Sequence, residues 1–202
     1  MLTRRAVLRA GALLCTGLVP RHARPAEVLE IRMRSDPRGQ EVWFDPIGVL
    51  IKPGQTVRWT VVENVHTTTA YHPKNAGHSL RIPEGAAPWD SGFLVNPGDH
   101  FDVSLTREGV YDYYCLPHEE AGMVGRIIVG QPGGPGTQPF DYFTGRPSAA
   151  QWKPVPPAAQ KVFPSIEQIL TQRICPARLR LVRRTLRTAS VGITDRGRGG
   201  ET

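Results

Sequence analysis

The chain has 202 residues, 40% of them hydrophobic and 7% aromatic, which suits one modest globular domain with sequence to spare at its ends. Its formal charge of +7 is unevenly spread: residues 1–26 hold five Arg and no acid, and residues 174–202 hold seven Arg against Asp195 and Glu201, so each end carries +5 and the body between them −3. A mildly acidic body excludes a basic face for DNA or RNA, and three cysteines, Cys15, Cys115 and Cys175, are too few for a disulfide framework.

At the start of the chain, Arg4, Arg5 and Arg9 precede the apolar run Ala10–Val19. This is the layout of a signal peptide, and the run is too short to span a bilayer. Thr3-Arg-Arg-Ala-Val-Leu-Arg9 resembles the twin-arginine export motif. Residues 1–26 are therefore expected to be a signal peptide, and the protein to be periplasmic. An unpaired cysteine in an oxidising compartment needs a protected role, which a metal would give it.

From residue 27 to 130 the chain reads as short strands separated by turns. Val28-Leu-Glu-Ile-Arg-Met-Arg34 alternates as a strand does, and Glu41–Phe44 and Val49–Ile51 follow after Gly and Pro breaks. Lys52-Pro-Gly-Gln55 and Asn96-Pro-Gly-Asp99 put Pro and Gly at the centre of type II turns. Each leads into an alternating apolar run, Thr56–Val62 and His100–Leu105. Strands at this spacing predict an all-β sandwich or small barrel. The connection from His66 to about Phe93 is too long for a hairpin and is expected to fold over the sandwich.

Beyond Gly130 the composition shifts to Gln131-Pro-Gly-Gly-Pro-Gly-Thr-Gln-Pro139, which predicts a linker outside the domain. Within 131–173, Ser165 caps a predicted short helix with Ile166, Ile169 and Leu170 on one face, able to dock on the sandwich. Residues 174–202 read as an Arg-rich disordered tail, with Leu179, Leu181, Val182 and Leu186 among the arginines as the one hint of membrane association.

The segment that carries chemistry is Val110–Val129, where Cys115, His118 and Met123 stand in a C-x2-H-x4-M spacing between two predicted strands. A thiolate, imidazoles and a distant thioether are the donors of a trigonal His2Cys copper site with a weak axial Met. A structural zinc site would show more Cys or His and no Met, and haem attachment would need a second Cys. The second imidazole must come from His22, His66, His72, His78 or His100. His66 is the best candidate because it follows the strand Thr56–Val62, whereas His72 and His78 lie further out and read as solvated, or as an accessory metal site, and His100 as exposed.

Tyr113-Tyr-Cys-Leu-Pro-His-Glu-Glu-Ala-Gly-Met-Val-Gly125 resembles the ligand loop of the cupredoxins, most closely the plastocyanin and azurin-like bacterial branch. The resemblance covers about residues 28–130. It implies an eight-stranded Greek-key β-sandwich, one type 1 copper ion held by His66, Cys115, His118 and Met123, and an electron path at the side through an outward-pointing Tyr114. It departs from the family at Thr67 and Leu116, where Asn and Ser or Thr are usual, which implies altered hydrogen bonding around the site. The expected role is one-electron transfer to redox partner proteins by transient docking, as a monomer and not as an enzyme. Four protein donors leave no open position for substrate. A copper carrier or sensor using the same donors is the competing role.

Overall fold

The computed structural model describes residues 28–177; the expected signal peptide and most of the expected tail lie outside the described residues. The first eight strands are β1 (Leu29–Ser35), β2 (Val42–Asp45), β3 (Gly48–Ile51), β4 (Gln55–Val61), β5 (Thr69–Ala70), β6 (His100–Leu105), β7 (Gly109–Tyr114) and β8 (Val124–Val129). A further strand, β9 (Ile174–Cys175), follows two short helices, α1 (Pro157–Gln160) and α2 (Ile166–Gln172). One sheet has the order β2-β1-β4-β6 and the other β5-β7-β8-β3-β9. The β1–β4 and β3–β8 pairs are parallel and the remaining pairs antiparallel.

The two sheets face each other across one core, as period-2 alternation requires. Ile31, Met33, Val57 and Trp59 enter it from one side, and Val49, Ile51, Tyr111, Tyr113 and Ile127 from the other. Both predicted Pro-Gly turns are present. Gln55 N–H donates to Lys52 O at 3.1 Å and Asp99 N–H to Asn96 O at 3.0 Å, with Gly54 at φ 86° and Gly98 at φ 91°. The long connection is structured: it contributes β5 and buries Tyr71, Ile82 and Trp89, the last against Trp59.

The outer strands of the first sheet leave one face to solvent, but every residue of β7 and β8 is buried. Their second face is covered by residues 131–177, and here the fold departs from the sequence expectation. The Pro/Gly run is packed rather than a free linker: Val110 N–H donates to Gly133 O at 3.0 Å, and a Cβ at Gly136 would lie 2.7 Å from Val110 O. Only glycine permits that approach. Helix α2 begins at Ser165 as predicted, the hydroxyl accepting from Gln168 N–H at 3.0 Å, and Ile169 is fully buried against Gly48 of β3. Leu170, expected on the same face, is instead 41% exposed. The expected tail also starts too early at 174, because Ile174 and Cys175 pair with Val49 and Gly48.

A buried charge cluster locks this cover in place. Asp112, in the middle of β7, is wholly buried and accepts two hydrogen bonds from Arg126 (2.7 and 2.9 Å) and one from Arg81 (2.8 Å). Two guanidinium groups on one carboxylate leave a net positive charge and spare donors. Backbone carbonyls of the cover take them: Gly136 O and Gln138 O accept from Arg81, and Pro164 O from Arg126. Phe140 and Phe163 stack on the two guanidinium planes at 4.2 and 5.0 Å. Breaking such a cluster by removing one partner strands the other charges in a desolvated site. Asp112→Ala is therefore expected to lower the unfolding free energy by about 3–5 kcal/mol in urea denaturation. A loss below about 1 kcal/mol, the worth of an exposed pair, would contradict this assignment.

Candidate metal centre

Three connections at one end of the sandwich supply the site. His66 follows β4, its backbone paired with Leu94 through hydrogen bonds of 3.1 and 2.9 Å. Cys115 closes β7, and a 3-10 turn over Leu116–His118 carries the chain to the second imidazole. The loop then folds back on itself: His118 N–H donates to Cys115 O, Met123 N–H to His118 O, and Cys115 N–H to Met123 O, at 3.0–3.1 Å. Gly122, at φ 85°, makes that reversal possible.

Cys115 Sγ lies 3.7 Å from His66 Nδ1 and 3.4 Å from His118 Nδ1, and the three donor atoms are all within 4.8 Å of one another. Metal bonds of about 2.0–2.3 Å at trigonal angles separate donors by roughly 3.5–3.8 Å, so the set fits one metal ion. His66, Cys115 and Met123 are completely buried, and His118 is half-buried at the rim. Burial, with His118 nearby, holds His66 down at about 4, and burial also lowers His118. Burial pushes the Cys115 thiol up to about 11, against the opposing effect of hydrogen bonds from Thr67. Metal binding here requires loss of the thiol proton and none from the imidazoles at neutral pH.

Thr67 holds the two ligand-bearing loops together. Its N–H points at Cys115 Sγ (3.3 Å), and its hydroxyl accepts from Leu116 N–H at 2.7 Å. The hydroxyl also lies 3.2 Å from Thr69 Oγ1, which donates to Asp90. The altered hydrogen bonding expected from Thr67 and Leu116 thus takes a definite form: the threonine hydroxyl bridges to backbone, and the Leu116 side chain turns outward, 43% exposed.

Other expectations fare differently. Among the described residues no other group of three or more His, Cys, Asp and Glu side chains has metal-binding spacing. His72 accepts from Lys74 N–H, and His100 is exposed as expected. His78, expected to be solvated, is buried against Tyr71 and Tyr114. Tyr114 does point to the outer face of its sheet, opposite Tyr113, but it has no exposure because Val155, Ala159 and Phe163 cover it. The open side path implied for it is absent. Residues not anticipated at the site are Thr69 and Asp90, which continue the Thr67 bridge.

Thr67→Val keeps the shape of the side chain and leaves Leu116 N–H without its acceptor. It is expected to lower stability by about 1–3 kcal/mol, with Thr67→Ser near wild type, both read by urea denaturation. Equal losses for the two variants would contradict the bridge.

Residues 31–130 match the copper-binding proteins of the plastocyanin/azurin family. A pseudoazurin of Methylorubrum extorquens is 30% identical over 131 residues, covering 64% of this chain and 80% of that protein. A plastocyanin of Scenedesmus fuscus is 34% identical over 90 residues, covering 43% and 85%. The chloroplastic plastocyanin of Chlamydomonas reinhardtii is 38% identical over 98 residues, and the chain spans only 57% of its length. The crystal structure of pseudoazurin from Methylobacterium extorquens AM1 aligns with 67% of this chain and 92% of its own, at 25% identity and a TM-score of 0.45. With the ligand types and their spacing in place, the chain belongs to the plastocyanin/azurin family of copper-binding proteins, and copper is its cofactor.

Proposed function

We propose that His66, Cys115, His118 and Met123 hold one type 1 copper ion and that the protein is a periplasmic one-electron carrier. When bound, copper supplies a Cu(II)/Cu(I) couple; the protein makes and breaks no substrate bond. The observation that carries this reading is the placement of the donors. A buried thiol faces two imidazoles at near-trigonal spacing, and one of those imidazoles, His118, stands at the surface.

Each residue has a part. Cys115 and the imidazoles offer soft and borderline donors that suit both oxidation states. The closed loop from Cys115 to Met123 limits rearrangement on electron transfer. His118 offers the short way out. Val65, Phe93, Val95 and Leu116, between 39% and 60% exposed, are chain neighbours of a ligand or of Leu94, the bridge partner of His66, and would form an apolar collar at this end. Clustered exposed apolar residues of this kind favour brief docking with a redox partner protein. A monomer leaves the collar free. The twin-arginine motif supports the periplasmic assignment, and four protein donors argue against an enzyme.

The test is electron self-exchange between the Cu(I) and Cu(II) forms of the full chain, followed by NMR line broadening, in wild type and Leu116→Glu. Rapid exchange, at least tenfold slower in the variant and with copper retained through repeated redox cycles, is expected. Loss of copper on reduction would favour the carrier or sensor role, and an unaffected Leu116→Glu rate would remove the docking collar.

A further inference from the structure

Beside the four donors lies a second buried cluster made of Tyr71, His78, Tyr114 and Glu119. Two of its members flank the ligand segment: Tyr114 precedes Cys115, and Glu119 follows His118. The other two come from the long connection after His66. Tyr71 and Tyr114 have no exposure, His78 has 6% and Glu119 has 9%.

The contacts among them are directional. Tyr71 donates its hydroxyl hydrogen to Glu119 Oε1 at 2.6 Å, and His78 Nε2 lies 3.4 Å from Glu119 Oε2. The Tyr114 ring packs at a tilt against Tyr71 and against His78, each at 4.6 Å between centroids. Tyr71 and His78 meet edge to face at 5.3 Å. The C-terminal cover fixes the group from behind. Ser79 N–H donates to Lys153 O (3.0 Å) and Lys153 N–H to Gly77 O (2.8 Å), which places His78, while Val155, Ala159 and Phe163 close over the rings.

Apolar side chains would fill this space at lower desolvation cost than a carboxyl, an imidazole and two phenols. What the polar set adds is a fixed direction for the chain at both ends of the segment Cys115–His118, since a short hydrogen bond and three ring contacts specify one orientation. We infer that Tyr71 and His78 are positioning residues for the copper site: through Glu119 and Tyr114 they hold His118 and Cys115 at their spacing, so that the C-terminal cover tunes the redox centre. This rests on the assignment of Cys115 and His118 as copper ligands.

The test uses the copper-loaded full chain with Tyr71→Phe, which removes only the hydroxyl, Glu119→Ala, and the pair combined. Reduction potential and the thiolate-to-copper absorption are read alongside stability. Glu119→Gln, which keeps an acceptor for Tyr71, serves as the rescue, and Leu105→Ala, in the core at the far end of β6, as the packing control. Tyr71→Phe and Glu119→Ala should each shift the potential and the band in the same direction, the double variant no further than the larger single. Glu119→Gln should restore most of the shift, and Leu105→Ala should lower stability alone. If the wild type has a blue band but both single variants keep its potential and spectrum, the positioning role is overturned while the ligand assignment stands. If the wild type has no such band, both are overturned.

Discussion

The copper end of the molecule depends on a loop that closes on itself. Three backbone hydrogen bonds among Cys115, His118 and Met123 fix the thiol, one imidazole and the thioether relative to one another before any side chain is considered. Thr67 then joins this loop to the one that carries His66, using its N–H on the sulfur and its hydroxyl on Leu116 N–H. The rest of the site follows from that join. Because the spacing is set by backbone and by a buried side chain, the donors are held in a desolvated pocket where an unpaired charge would be costly.

The second consequence concerns the sheet that carries the loop. In a two-layer sandwich one face of each sheet normally meets solvent, but β7 and β8 are buried on both faces. Asp112, Arg81 and Arg126 explain why the cover stays in place: the arginines both pair with the carboxylate and give their remaining donors to carbonyls of residues 136–164. Closing this face buries Tyr114, while His118 stays half-buried at the surface. Fold and site are linked there, since the cover closes one side of the ligand segment and leaves His118 at the surface.

Much of this was legible in the sequence, for local reasons. Pro-Gly pairs announce type II turns whatever surrounds them, Ser165 announces a helix start, and the spacing of Cys115, His118 and Met123 carries its own chemistry. Strand parity also gave the outward direction of Tyr114. What could not be read were contacts between segments far apart in the chain. The burial of His78 depends on pairing with Lys153, and the burial of Tyr114 on Phe163. The Pro/Gly run looked like a linker because its composition is that of one; it packs because Gly136 permits close approach to β7 and Arg81 supplies donors to its carbonyls. Asp112 is the local signal of that packing: it sits inside a run of apolar and aromatic residues, where a carboxylate must either reach solvent or find cations.

In the proposed site Cys115 binds copper as a thiolate within a trigonal set. The direct measurement is the visible absorption of the full chain titrated with Cu(II), beside Cys115→Ser. An intense blue thiolate-to-copper band is expected at one copper per chain, bleached by ascorbate, restored by oxidant, and absent from the Ser variant. A folded wild type that binds copper without that band, or a Cys115→Ser protein that retains it, would contradict the account.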